Sequence, residues 1–235
     1  MAVSGPASSA CTRTLSAAAA AFRVLFAATP SSSSHALSLA ESTRRGLPRS
    51  SDTLDLTYGD ISFDAMSEGL LAARPPAGGV FVDCGSGSGR AVIAAALLLD
   101  LRRCVGVEIL QDLHDQAMAT ANRLAEMQTD VGHNGVRSVE LRCANFFSID
   151  GLLVGADVVF CCCVTWEYAI MHRLAQKLAT ELEQGAKVLT VGKPLPATAT
   201  GCGAGGRTVR FVETWHGLAD CEWGREPMVL HEVVD

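Results

Sequence analysis

The segment with the clearest chemical content is an acid followed by a run of small residues, Asp83-Cys84-Gly85-Ser86-Gly87-Ser88-Gly89-Arg90. Glycines at alternate positions permit a tight turn and let a ligand approach the backbone with no Cβ in the way. Dinucleotide sites carry G-x-G-x-x-G so that a pyrophosphate can rest on a helix N-terminus, but the sixth position here is Arg90. The carboxylate of Asp83 would repel a pyrophosphate and attract a cation.

A second acid, Glu108, follows 25 residues after Asp83. At the tip of a neighbouring strand its two oxygens could accept hydrogen bonds from both hydroxyls of a ribose. Further on, Asn145-Phe146-Phe147 offers an amide for a base edge and an aromatic face for a ring. The run Phe160-Cys161-Cys162-Cys163-Val164-Thr165-Trp166 then supplies small polarizable groups and an indole. A cationic nucleoside fits these requirements, and S-adenosylmethionine, with its α-amino and sulfonium charges, is the expected cofactor.

These groups need strand tips to hold them, and the pattern provides such tips. Short apolar runs read as buried strands at Val80-Phe81-Val82, at 104–107, 139–143 and 157–162, and at Lys187-Val188-Leu189-Thr190-Val191. Helical spacing fills the intervals at 91–99, 110–127 and 166–182. Strands alternating with helices imply right-handed crossovers and a mostly parallel sheet, with ligands beyond the carboxyl ends of the strands. The segments 207–215 and 226–234 are β-rich with no long helix between them, which suits a terminal antiparallel hairpin. The fold expected is therefore α/β, a doubly wound, seven-strand, Rossmann-like sheet of the class I methyltransferase type. Ahead of it, 61–71 has helical spacing and ends at the breaker cluster Arg74-Pro75-Pro76-Ala77-Gly78-Gly79.

Composition narrows the alternatives. Of 19 basic and 25 acidic residues, residues 1–50 hold five arginines and one acid, Glu41, so the remainder is acidic, with 14 against 24. An acidic domain disfavours unaided binding to nucleic acid. Residues 1–50, rich in Ala and Ser, read as a low-complexity segment, either disordered or a mitochondrial or plastid targeting leader, with a short helix possible over 35–45, and residues 51–235 as the catalytic domain. No apolar run is long enough to predict a membrane span. Nine cysteines, an odd number without CxxC spacing, indicate neither a disulfide framework nor a zinc site. The histidines at 114, 133, 172, 216 and 231 show no ligand-like spacing, and no metal is expected.

Three segments together resemble the Dot-one (disruptor of telomeric silencing) family, histone lysine methyltransferases without a SET domain. They are Leu56-Thr57-Tyr58-Gly59-Asp60-Ile61-Ser62-Phe63-Asp64, then Phe81-Val82-Asp83-Cys84-Gly85-Ser86-Gly87-Ser88-Gly89, then Val105-Gly106-Val107-Glu108. Weaker similarity continues through Val158-Val159-Phe160 and Lys193-Pro194 to Trp223. The resemblance implies methylation of a protein lysine, with histone H3 in nucleosomes as partner and the nucleus as compartment. It places Tyr58 and Asp60 in a loop folding over the methionine end of the cofactor, beside Asp83, Gly85 and Arg90. Glu108 takes the ribose and Phe146 packs on adenine. Ser86, Gly87, Asn145 and Phe160 complete the expected cofactor site, and Tyr58, Cys162 and Trp166 are the expected catalytic residues. The chain departs from the family at Asn145 (an acid), Arg90 (usually Gln), Cys162 (Asn) and Leu230 (a channel Tyr). A compact mitochondrial protein-lysine methyltransferase and a catalytically silent cofactor-binding module are the alternatives.

Overall fold

The structure is a computed structural model and describes residues 8–44, 59–131, 138–203 and 206–235. Three helices come first: α1 (Ser8–Phe26), α2 (Ser31–Arg44) and α3 (Phe63–Ala73). Ser62 starts α3 by accepting a hydrogen bond from the Ala65 N–H, and Arg74, at φ 46°, ends it just before the Pro75-Pro76 pair. The alternating unit follows as β1 (Gly79–Cys84), α4 (Arg90–Leu98), β2 (Leu101–Glu108), α5 (Gln111–Val131), β3 (Val139–Cys143), β4 (Val158–Cys162), α6 (Tyr168–Glu181) and β5 (Lys187–Val191). The chain closes with β6 (Thr198–Thr200), β7 (Thr208–Cys221) and β8 (Gly224–Val234).

The eight strands form one sheet in the order β3-β2-β1-β4-β5-β8-β7-β6. Strands β1 to β5 run parallel, and β8, β7 and β6 are antiparallel additions at one end. This is the Rossmann-like class I methyltransferase fold, with order reversing between β1 and β4. The terminal hairpin is longer than its sequence pattern indicates, since β7 runs on to Cys221 and turns through Glu222-Trp223. The eighth strand, β6, is a three-residue edge element too short to leave a periodic signal.

Alternation along the strands sorts side chains between two cores. Val80, Val82, Cys84, Val159, Cys161 and Cys163 face α6, while Phe81, Cys104, Val158 and Phe160 face α1, α3 and α4. Asp83 and Glu108 share the second parity, which brings both acids to the same side at adjacent strand tips. Among the described residues, no helix is long and apolar enough to cross a membrane.

The N-terminal segment departs from the expectation of disorder. Phe22, Leu25 and Phe26 of α1 are buried in the core shared with α3 and α4. Helix α2 lies against α5 through polar groups, with Ser34 Oγ donating to Gln116 Oε1 at 2.8 Å. A polar buried face carries no apolar periodicity, so the sequence indicates only the short helix over 35–45 and not its burial.

Candidate functional site

The Asp83 loop is built to hold its own acid neighbours. After β1, Gly85 turns at φ +94°, a conformation that L side chains rarely adopt. The Gly85 and Ser86 amides donate to Val107 O at 2.9 and 3.0 Å, tying the loop to the end of β2. The Gly87 amide donates to Glu108 Oε2 at 2.7 Å, and the Leu110 amide donates to Glu108 Oε1 at 2.8 Å. Glu108 is thus fixed by backbone amides at both oxygens, at the tip of β2 and facing the cavity.

Asp83 has no such support on one side: its Oδ1 is buried and accepts no hydrogen bond. Burial, and then the charge of Glu108, hold its carboxyl well above the usual range. Burial also raises Glu108, against the opposing pull of its backbone hydrogen bonds. A buried acceptor without a donor costs about 1–3 kcal/mol, and a ligand ammonium or sulfonium would relieve it.

Both acids open into a cavity of about 590 Å³, within the size range of small-molecule sites. Asp60, Gly85, Ser86, Arg90, Asn145, Phe146, Phe160, Cys162 and Trp166 line it as well, so most of the expected site residues converge. Gly87 is not in the lining, and its contribution is the amide that fixes Glu108. Tyr58 lies outside the described residues. The acid pair, the open acceptor on Asp83 and the glycine turn fit S-adenosylmethionine. Asp83 would face its amino and sulfonium end, and Glu108 its ribose.

Arg90 does not cancel the acidity of this cradle, because its charge is committed elsewhere. Its Nε lies 2.5 Å from Asp60 Oδ2, and its guanidinium sits over the Phe26 ring of α1, 4.4 Å from the centroid. Asp60 belongs to a short stretch held against the end of β7 by a bridge between Ile61 and Cys221. The Ser62 amide donates to Asp220 O at 2.9 Å, and the Glu222 amide to Asp60 O at 3.3 Å. Gly59 fits here for want of a side chain, since a Cβ would fall 1.7 Å from Trp223 Cζ3.

The opposite wall is aromatic. Phe146 opens a single 3₁₀ turn capped by Asn145, whose Oδ1 accepts from the Phe147 amide at 3.0 Å. That bond uses one of the two lone pairs expected to meet the base edge. Phe146 stacks on Trp166 with centroids 5.8 Å apart and planes at 17°, and Trp166 in turn reaches over Gly85. Of the three consecutive cysteines, Cys161 and Cys163 point into the α6 core and Cys162 lines the cavity. Burial pushes the Cys162 thiol up to about 12, so it stays protonated at neutral pH and offers a small neutral surface rather than a base.

Some lining residues are not among the expected site residues. Ser32 and His35 come from α2, and Glu222 and Trp223 from the β7–β8 turn. Trp223, an exposed indole in a tight turn next to Glu222, is the one that a search for aromatic turn residues could have found. Leu230 is only 2% exposed, pairs with Leu189 and Trp215 in the sheet and does not line the cavity.

Among known proteins, a family model described as histone methylation protein DOT1 matches residues 46–200. None of the curated proteins matches the chain. Similar solved structures include the YcgJ protein from Bacillus subtilis, at 18% identity and TM-score 0.40 over 55% of this chain and 50% of that one. A methyltransferase from Geobacter sulfurreducens has 14% identity and TM-score 0.48 over 84% and 88%. Geranyl diphosphate C-methyltransferase from Streptomyces coelicolor has 18% identity and TM-score 0.43 over 55% and 45%. The chain spans half the length of the first of these and less than half of the last. At such identities and scores none of them passes its activity to this chain.

Proposed function

Because the chain belongs to the DOT1 histone methylation protein family, we propose that it moves a methyl group from S-adenosylmethionine to a lysine nitrogen of a protein, with histone H3 in the nucleus as the first candidate acceptor. S-adenosylmethionine is the cofactor of this methyltransferase domain, and the observation that carries the reading is the buried acid pair with an open acceptor on Asp83. When bound, the cofactor supplies an electrophilic methyl group on a cationic sulfur, open to in-line attack.

What the protein contributes is positioning and exclusion of water. Asp83 holds the charged end, Glu108 holds the ribose hydroxyls, and Phe146 with Trp166 forms a stacked wall. An acceptor lysine must arrive neutral, which at pH 7 costs about 4.6 kcal/mol from an unperturbed pKa near 10.4. Phe160, Trp166 and Cys162, apolar or uncharged, disfavour the protonated amine at that point. Tyr58, the third aromatic candidate, belongs to the same proposal through the resemblance.

A second reading, a cofactor-binding module without turnover, is favoured by one observation. The position of the family's channel tyrosine is here Leu230, buried in the sheet. The nuclear reading is favoured over an imported one by α1 and α2, because removal of a leader through residue 44 would strip Ser32 and His35 from the cavity wall.

Recombinant nucleosomes and fractionated lysate, each incubated with the full chain and labelled cofactor, test the proposal. Label on a histone H3 lysine supports it. Label only on another protein's lysine moves the acceptor, and label on no protein, with cofactor still bound, leaves the silent module.

A further inference from the structure

Helix α5 begins under an unusual constraint: its N-cap position is Leu110, whose side chain has no acceptor to offer the first-turn amides. Leu110 O accepts from the His114 amide at 3.0 Å, which marks where the helix starts. Two carboxylates from elsewhere serve as the cap. Glu108 accepts from the Leu110 amide. Glu41, on α2 and about 70 residues away, accepts from Gln111 through Oε1 at 3.1 Å and from Asp112 through Oε2 at 3.2 Å.

Glu41 is 5% exposed, and a negative charge there is favourable against the helix dipole. The helix carrying it is seated on α5 by Ser34 and by the exposed Arg44–Asp112 ion pair, at 2.5 Å. The same helix sends Ser32 and His35 to the cavity wall, next to Ile109, Leu110 and Leu113. Without Glu41, the Gln111 and Asp112 amides would be left unpaired directly after the Leu110 amide, from which Glu108 accepts. They would then compete for the oxygens that face the ligand.

We propose that Glu41 is a positioning residue of the cofactor site: it caps α5 from a different helix and so keeps Glu108 turned toward the ribose hydroxyls. Helix α2 is thereby a working part of the nucleoside half of the site. This inference rests on the assignment of S-adenosylmethionine as cofactor and not on the identity of the acceptor.

Calorimetric titration of the full chain with S-adenosylmethionine, and separately with methylthioadenosine, tests it. Glu41→Ala should weaken both ligands by a similar factor, about ten-fold, as loss of a helix cap and its effect on Glu108 would give. Glu41→Gln keeps one carbonyl acceptor and should fall between Ala and the wild type. Arg44→Ala, which loosens α2 without touching the capped amides, should bind within about two-fold of the wild type, since an exposed ion pair contributes little. In amide NMR spectra the Gly87 resonance, which reports the second oxygen of Glu108, should shift in Glu41→Ala and partly return in Glu41→Gln. If Glu41→Ala binds both ligands as the wild type does, or the Gly87 resonance stays in place, the positioning role is overturned while the cofactor assignment stands. If Glu41→Ala fails to fold, Glu41→Gln decides by the same two readouts. A wild type that binds neither ligand overturns the cofactor assignment and this inference with it.

Discussion

Arg90 Nε stands 2.5 Å from Asp60 Oδ2, and the same guanidinium covers the Phe26 ring. One side chain therefore joins three parts of the chain that are distant in sequence: α1, the stretch ahead of α3 and the start of α4. The pair is largely buried, with side chains 17% and 6% exposed. Removing one member of such a pair leaves an uncompensated charge and is strongly destabilising. Arg90→Ala should lower unfolding free energy by about 3 kcal/mol or more in urea titration. A loss under about 1 kcal/mol would mean that water already reaches the pair.

The two buried acids should make cofactor binding depend on pH in a definite direction. Asp83 and Glu108 are both raised in the ligand-free fold, chiefly by burial. Their contribution to stability is present below the unfolded carboxyl range, near 4, and is lost as pH rises through their folded values. A cationic ligand prefers the ionised acids, so affinity should increase over that same rise. Asp83→Asn should weaken S-adenosylmethionine and flatten the profile of dissociation constant against pH. An unchanged profile in that variant would remove Asp83 from the cationic end.

Much of this site is legible in the sequence. The glycine turn and Glu108 follow from a short buried strand that ends in an acid, a local pattern with a local cause. The convergence of Phe160, Cys162 and Trp166 follows from alternation along β4 and a loop beyond it. What could not be read depends on partners far apart in sequence. Nothing near Glu41 announces that its acceptors would meet amides at 111 and 112. The buried face of α2, with Ser34, Ser38 and Glu41, looks on paper like a solvated or disordered stretch. Leu230, matched to the family's channel tyrosine by sequence, packs inside the sheet.

Gly59 and Trp223 give a prediction that separates closure from folding. A Cβ at Gly59 would overlap the indole, so Gly59→Ala should swing Trp223 outward. Trp223 Nε1 also donates to Glu226 Oε1 at 2.9 Å, a surface bond easily given up. The variant should keep its melting temperature within a few degrees, as expected for a change of about 1 kcal/mol or less, while losing methyl transfer. Equal turnover in Gly59→Ala and the wild type would show that the indole does not help close the cavity.

His231 should make the fold sensitive to mild acid. It is fully buried, with Nε2 accepting from the Leu195 amide at 3.2 Å and Nδ1 placed 3.2 Å from Val188 O. That arrangement fits one neutral tautomer, and burial lowers the folded pKa below the ordinary value of 6.5. A lowered value gives stability that is complete above pH 6.5 and is lost as pH falls toward the folded value. Denaturant midpoints should therefore decline as pH falls below 6.5 in the wild type and decline less in His231→Gln. Parallel declines would place the acid sensitivity elsewhere.

The bridge between Ile61 and Cys221 changes what opening the site requires. The stretch that carries Asp60 is stitched to the tip of the terminal hairpin, so neither lip of the mouth can swing alone. Any widening on that side would break backbone contacts at the hairpin tip. The last strands laid down in the chain thus set the width of the entrance to a pocket whose floor was built by the first ones.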